Sequence, residues 1–194
     1  MSIVSADGRR LRSERSRQRI LGALRRALAD PELEFSPALV AARAGVSMST
    51  VFRHFGDLEG LAAAMRALVL GEIEPILRAG FDGDRDTRVR ELVGRRITVF
   101  EKVSPLERAT PVQRLSPGRV ADDQRIAALL REQVDAALAA ELPDPLLGDA
   151  IDALVSLGAW RHLRELRRLA DIRAAEVLEA GVLGLLRNES AAVR

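Results

Sequence analysis

Few side chains in this sequence can do covalent or metal chemistry. There is no Cys and no Tyr, and His occurs only at positions 54 and 162. Thiolate nucleophiles, thiolate metal ligands and disulfides are therefore excluded. His162 and Glu165 stand three apart, as two metal ligands on one helical face do, but no second pair accompanies them. The expectation there is a salt-bridged surface, with no metal, no cofactor and no catalytic residue. What remains is binding chemistry. Ser47, Met48, Ser49, Thr50, Phe52, Arg53 and His54 crowd into one short stretch. Hydroxyls beside a helix start suit phosphate oxygens. Met, Ser and Phe suit base edges and thymine methyls, and Arg53 suits a phosphate or a guanine.

These residues need an element to present them, and the local sequence supplies one. Ser36-Pro37 reads as an N-cap followed by Pro at the first helical position, opening a helix to about Ala44. Gly45 takes positive φ at no steric cost, as a sharp helix-to-helix turn requires. Ser47 then caps a third helix running to about Phe55. On it Val51 and Phe55 lie four apart and share a face, so with Val46 they are expected to pack inward against Leu39, Val40 and the first helix. Met48, Ser49, Phe52 and Arg53 are left outward. A helix-turn-helix that offers its second helix to a major groove has this layout.

The wider pattern is all-α. β-branched and aromatic runs of period two are missing, and the chain has a single Trp, at position 160. Residues 1–12 are expected to be a disordered basic arm. A first helix spans 13–29, with Ile20, Leu21, Leu24, Ala27 and Leu28 at helical spacing. Asp57 caps a long helix to Leu77, interrupted by Gly71 and Pro75, with a kink expected near Glu72–Pro75. FDGDRDT (81–87) reads as a loop before a helix over 87–103. Ser104-Pro105-Leu106-Glu107 reads as a capping box that starts afresh. Ser116-Pro117 and Asp144-Pro145 open helices of 118–141 and 145–166, and a last helix covers 170–187. That makes about nine helices, with no strand and no repeat.

Charge is uneven. Residues 1–56 hold ten Arg against five acids, a surplus of five, so the remainder carries a deficit of three within a net charge of +2. A basic N-terminal quarter on a mildly acidic body points to a polyanionic partner for that quarter. The first twenty residues lack the apolar core of a secretory signal, and no apolar run reaches bilayer-spanning length. A cytoplasmic protein with no membrane partner is expected.

The stretch RQRILGALRRALADPELEFSPALVAARAGVSMSTVFRHFGDLEGLAAAM resembles the N-terminal domain of TetR-type transcriptional regulators. The features that match are the Ile20-Leu21 helix, the AGVS turn, the aromatic at Phe52, the His54-Phe55 pair and Leu61 early in the next helix. The likeness covers residues 13–65; the remainder is similar only in length and helical character. It implies a helix-turn-helix DNA-binding domain over 13–56 and an effector-binding and dimerisation domain over 57–194. It also implies a ligand-responsive repressor that binds a palindromic operator in double-stranded DNA as a homodimer. Expected DNA contacts are Ser36, Ser47, Met48, Ser49, Thr50, Phe52, Arg53 and His54, the last matching a phosphate-contacting His of the family. Ala38 matches a position that reads a base in some members. Two positions depart from the pattern: Phe52 stands where a phosphate-binding Tyr is usual, and Leu58 where a phosphate-binding Lys is usual. Each phosphate contact adds about −0.9 to the slope of log affinity against log salt, so a shallower salt dependence is expected.

The resemblance further implies a small-molecule effector among the central helices. Candidate lining residues are Met65, Leu68, Val69, Arg96, Phe100, Val103, Gln113, Gln133 and Trp160. For the dimer, the final helices offer Ile151, Leu154, Val155, Leu157, Gly158, Val177, Gly181, Gly184 and Leu185. Each Gly there costs about 1 kcal/mol of helix propensity, which close helix approach across a subunit interface would explain. A second reading keeps the fold but gives up operator binding, leaving a small-molecule or protein-binding module.

Overall fold

The computed structural model describes residues 3–28, 36–109 and 116–192. Among them every regular element is helical and no strand occurs. In chain order the helices are α1 (Ile3–Leu28), α2 (Pro37–Ala44), α3 (Met48–Phe55), α4 (Leu58–Arg78), α5 (Arg85–Ala109), α6 (Pro117–Leu138), α7 (Pro145–Leu154), α8 (Leu157–Arg161) and α9 (Asp171–Ala192). A 3-10 turn at Ala139–Glu141 follows α6, and a π turn at His162–Leu166 follows α8. No helix among the described residues is long and apolar enough to cross a membrane.

The chain divides into two compact units. The first is Met1–Leu70 with Val103–Asp122, and the second is Gly71–Lys102 with Asp123–Arg194. Helices α4, α5 and α6 each begin in one unit and end in the other.

The helix starts are local hydrogen-bond events. Leu39 N–H donates to Ser36 Oγ at 3.3 Å, Thr50 N–H to Ser47 Oγ at 3.2 Å and Gly60 N–H to Asp57 Oδ1 at 2.8 Å. Arg119 N–H donates to Ser116 Oγ at 3.3 Å and Leu146 N–H to Asp144 Oδ1 at 2.9 Å. Each satisfies a backbone donor that has no partner inside its own helix, worth about 1 kcal/mol.

Three elements differ from the sequence expectation, one of them in two ways. Helix α1 begins at Ile3, so residues 3–12, expected as a disordered arm, continue the helix instead. Ala6, Leu11 and the Arg residues at 9, 10 and 12 are good helix formers, and Gly8 is the weakest residue in the segment. Helix α5 starts at Arg85 because Asp84 caps it, accepting from Thr87 N–H at 2.8 Å; bonds from the Thr87 hydroxyl and amide hold the Asp84 carboxyl below its ordinary pKa. The same helix runs through Ser104-Pro105 to Ala109 with no new start. Val99, Val103 and Leu106 are all buried, so one apolar face stays continuous across the proline and outweighs its lost hydrogen bond. Finally, the single helix expected over 145–166 is broken at Val155, and Ser156 caps α8 by accepting from Ala159 N–H at 3.2 Å.

The first unit is built on α1. Ile20, Ala23, Leu24 and Ala27 are buried on one face, with Val40, Ala41 and Ala44 from α2, Val51 from α3, and Leu61, Ala62 and Met65 from α4. Helices α2 and α3 have eight residues each, too few to stand alone in water. Their order comes from packing on α1, where each fully buried Ile or Leu contributes roughly 1.5–3 kcal/mol. Arg66, on α4, is 4% exposed and ties its helix down: it pairs with Glu59 and with Asp122, both at 2.8 Å. Ser116 Oγ reaches the same Glu59 at 2.9 Å.

The second unit buries Leu92, Val93 and Phe100 of α5, Val134 and Leu138 of α6, Ile151 of α7, and Ala174, Leu178 and Val182 of α9. Arg96 is sunk among them at 0% exposure. Its Nη2 donates to Leu130 O at 2.5 Å and to Asp152 Oδ1 at 2.8 Å. Burial pushes the guanidinium below its ordinary pKa, an effect the Asp152 charge opposes.

Candidate nucleic-acid interface

The α2–α3 connection is geometrically tight. Gly45 adopts φ 61°, ψ 43°, and its N–H donates to Ala42 O at 3.1 Å while Val46 N–H donates to Ala41 O at 3.0 Å. These two crossing bonds satisfy the last carbonyls of α2 through a left-handed residue. Arg19 of α1 closes the turn from outside, donating to Gly45 O at 3.0 Å. A Cβ at position 45 would lie 2.6 Å from Arg19 Nη2. Gly45→Ala is therefore expected to cost about 2 kcal/mol, from the left-handed backbone and the displaced guanidinium. Urea denaturation tests this, and an unchanged midpoint would refute it.

Beyond the turn, α3 opens with three hydroxyls in one cluster. Ser47 Oγ lies 2.9 Å from Ser49 Oγ and 2.9 Å from Thr50 Oγ1. The first backbone N–H groups of α3 share this end, with the positive pole of the helix dipole. Met48 is 39% exposed, Ser47, Ser49 and Arg53 are exposed, and Thr50 and Phe52 are half-buried. Val51 is fully buried, whereas Val46, Leu39 and Phe55 are only half-buried. So α3 is anchored chiefly through one valine, with its hydroxyl, Met and Arg face outward. Behind it the Phe55 ring carries the Arg17 guanidinium, 5.5 Å from its centroid.

His54 is half-buried, and its Nε2 is buried without a hydrogen-bond partner among the described residues. That nitrogen is not on the outward face with the hydroxyls. Ser36 accepts from Leu39 N–H and is half-buried at the start of α2, with Ala38 exposed beside it. Leu58, at the first position of α4, is apolar and 37% exposed.

The other expected sites divide. Met65, Val69 and Val103 are buried and Leu68 half-buried in the first unit; Arg96, Phe100, Gln133 and Trp160 are buried in the second. Gln113 lies outside the described residues. Only Arg96 and Gln133 have polar chemistry to spare: Arg96 Nε and Nη1 and Gln133 Oε1 are buried with no partner. The dimer expectation needs correction. Ile151 and Val155 are fully buried within one chain, so both belong to the core of the second unit. Gly181 is explained by close packing inside the chain, since a Cβ there would meet Leu154 Cδ2 at 2.8 Å. Leu157, Gly158, Val177, Gly184 and Leu185 keep partial or full exposure. Sequence reading missed the most exposed large apolar side chains among the described residues, Leu146, Leu166 and Ile172, at 71%, 76% and 78%.

His162 and Glu165 form no ligand pair: the Glu165 carboxylate takes Arg161 Nε and Nη2 at 3.1 and 3.2 Å. No group of three His, Asp or Glu residues suited to a metal ion occurs among the described residues. No family model and no curated protein sequence matches the chain.

Proposed function

We propose that this protein is a sequence-specific DNA-binding transcriptional regulator of the TetR type, a ligand-responsive repressor acting as a homodimer on a palindromic operator. The observation that carries the reading is the outward face of α3: three clustered hydroxyls at its start, then Met48, Phe52 and Arg53, on a helix held by a buried valine and a Gly-closed turn. In this reading α3 lies in the major groove. Ser47 and Thr50, with the first N–H groups of α3 and Ser36 at the start of α2, hold phosphates. Met48, Ser49 and Phe52 meet base edges and thymine methyls, and Arg53 meets phosphate or guanine. One such helix contacts too few bases for specific affinity, so two copies pair and span neighbouring turns, about 34 Å apart. The exposed Leu146, Leu166 and Ile172 support apolar pairing through the second unit. The unpartnered atoms of Arg96 and Gln133 support a polar small molecule in that unit's interior, which would satisfy them on binding.

Selection from random duplexes tests the reading. A two-fold site should emerge. Replacing Met48 and Phe52 together by Ala should cut discrimination against single mismatches by about 1–3 kcal/mol, roughly 10–100-fold, while mixed-sequence binding persists. Apolar residues at positions 52 and 58, in place of phosphate anchors, favour the second reading, a regulator-like fold kept as a ligand- or protein-binding module. Recovery of no site would leave that one standing.

A further inference from the structure

Several irregular features of the second unit gather in the connector between α8 and α9. The π turn at His162–Leu166 lies there, a rare form that recurs at functional sites. Arg168 has φ 53°, the one non-glycine residue with positive φ among those described. Glycine is the default residue for such a backbone at a helix end. The helix dipole favours a cation here, but Arg167 already supplies one, so nothing local calls for Arg at 168. Leu166 and Ile172 flank the pair and are 76% and 78% exposed.

The connector is nevertheless held in place. Arg167 N–H donates to His162 O at 2.9 Å and Leu169 N–H to Leu163 O at 3.0 Å. The Arg164 guanidinium stands 5.7 Å from the ring centroid of the buried Trp160, bonds Leu169 O and pairs with Asp171. Arg161 and Arg173 take Glu165 and Glu176, at 3.1 and 3.0 Å. That leaves Arg167 and Arg168. Both are exposed, and neither side chain has a hydrogen bond or ion pair among the described residues. A fixed connector thus presents two aliphatic side chains and two unpaired cations, already ordered for a partner.

Charge decides which partner. The second unit holds sixteen basic residues against nineteen acidic ones, a deficit of three. A cationic connector on an acidic unit is complementary to the remainder of a second copy. In a two-fold pair each contact is also made twice, which doubles the effect of a four-residue patch. A lipid surface suits it less, since recognition there takes a cluster of about four to eight basic residues.

We infer that this connector docks onto a second copy of the chain, which covers Leu166 and Ile172 and pairs its carboxylates with Arg167 and Arg168. The inference rests on the homodimer of the function proposed above and names residues that set its specificity.

Sedimentation equilibrium of the full-length chain without DNA, over a range of salt, tests it. Leu166→Ser/Ile172→Ser should weaken the pair by roughly 100-fold or more, about tenfold for each aliphatic side chain covered. Arg167→Gln/Arg168→Gly should weaken it about tenfold at low salt and flatten the salt dependence that the wild type shows. Glycine suits the backbone at 168, so the melting midpoint of this variant, taken below the pairing concentration, should rise by about 2–4 °C. A fall would mean that Arg168 props the connector, and would overturn its role as a contact. A wild-type dimer that neither variant weakens overturns the inference and leaves pairing elsewhere in the second unit intact. A wild type that stays monomeric overturns the inference and the homodimer together. Phosphatidylglycerol vesicles and a polyglutamate peptide are the further probes. If either binds the wild type and not the arginine variant while the dimer is unchanged, the connector serves a lipid or an acidic protein segment, and the second copy is ruled out.

Discussion

Gly60→Ala is expected to destabilise the first unit by about 3 kcal/mol, lowering its melting temperature by roughly 6–12 °C. The cause is a backbone collision. Gly60 lies in the first turn of α4, its N–H bonded to Asp57 Oδ1 at 2.8 Å, and a Cβ there would stand 1.8 Å from the carbonyl oxygen of Phe55. No rotamer relieves a clash between two main chains, so either the α4 cap or the last turn of α3 must move. Gly56, between them, already has φ 80° and donates its N–H to Phe52 O at 2.7 Å, leaving little slack. Because α3 is anchored mainly at Val51, its aim should change with the shift. Under the proposed function, duplex affinity is therefore expected to fall beyond what unfolding accounts for at the assay temperature. Gly94→Ala supplies the contrast. Gly94 is exposed inside α5, where an added Cβ meets nothing within 4 Å, so the same substitution should stabilise by about 0.5–1 kcal/mol. Thermal melts followed by circular dichroism give both signs. Equal effects at the two positions would mean that the α3–α4 junction is looser than described.

The second large effect concerns the buried guanidinium of the second unit. Asp152→Ala should cost about 3 kcal/mol, because it leaves Arg96 charged, fully buried and with one carbonyl partner. Arg96→Met should cost markedly less. Asp152 is 30% exposed and can hydrate once unpaired, and Met fills most of the vacated volume without a charge to bury. The double change Arg96→Met/Asp152→Leu should sit near the wild type. Guanidinium denaturation of the three variants is the check, and a larger loss from Arg96→Met than from Asp152→Ala would contradict this account. The asymmetry has a functional side. Under the proposed function the free N–H groups of Arg96 are offered to an effector, so Arg96→Met should abolish ligand response while leaving the fold intact.

The expectations that held and those that failed separate by distance along the chain. Ser36, Ser47, Asp57, Ser116 and Asp144 announce helix starts because each cap closes a hydrogen bond within three residues, so its partners are always at hand. Gly45 announces the turn for the same reason. Burial overrode equally local signals elsewhere: Pro105 looks like a fresh start, yet the helix passes through it because Val103 and Leu106 continue an apolar face. Ser156 was as readable a cap as Ser47, but it lay inside an apolar stripe that suggested one uninterrupted helix.

Residue types alone excluded thiolate chemistry and disulfides and singled out the hydroxyl, Met and Arg residues of α3. They could not say that Ile151 and Val155 are core, that Leu146, Leu166 and Ile172 stay uncovered, or that Gly60 leaves no room for a methyl group. Nor could they tell that Arg96 finds Asp152 from 56 positions away. Those facts depend on which helix faces cover one another, and that is settled by the packing of the whole set.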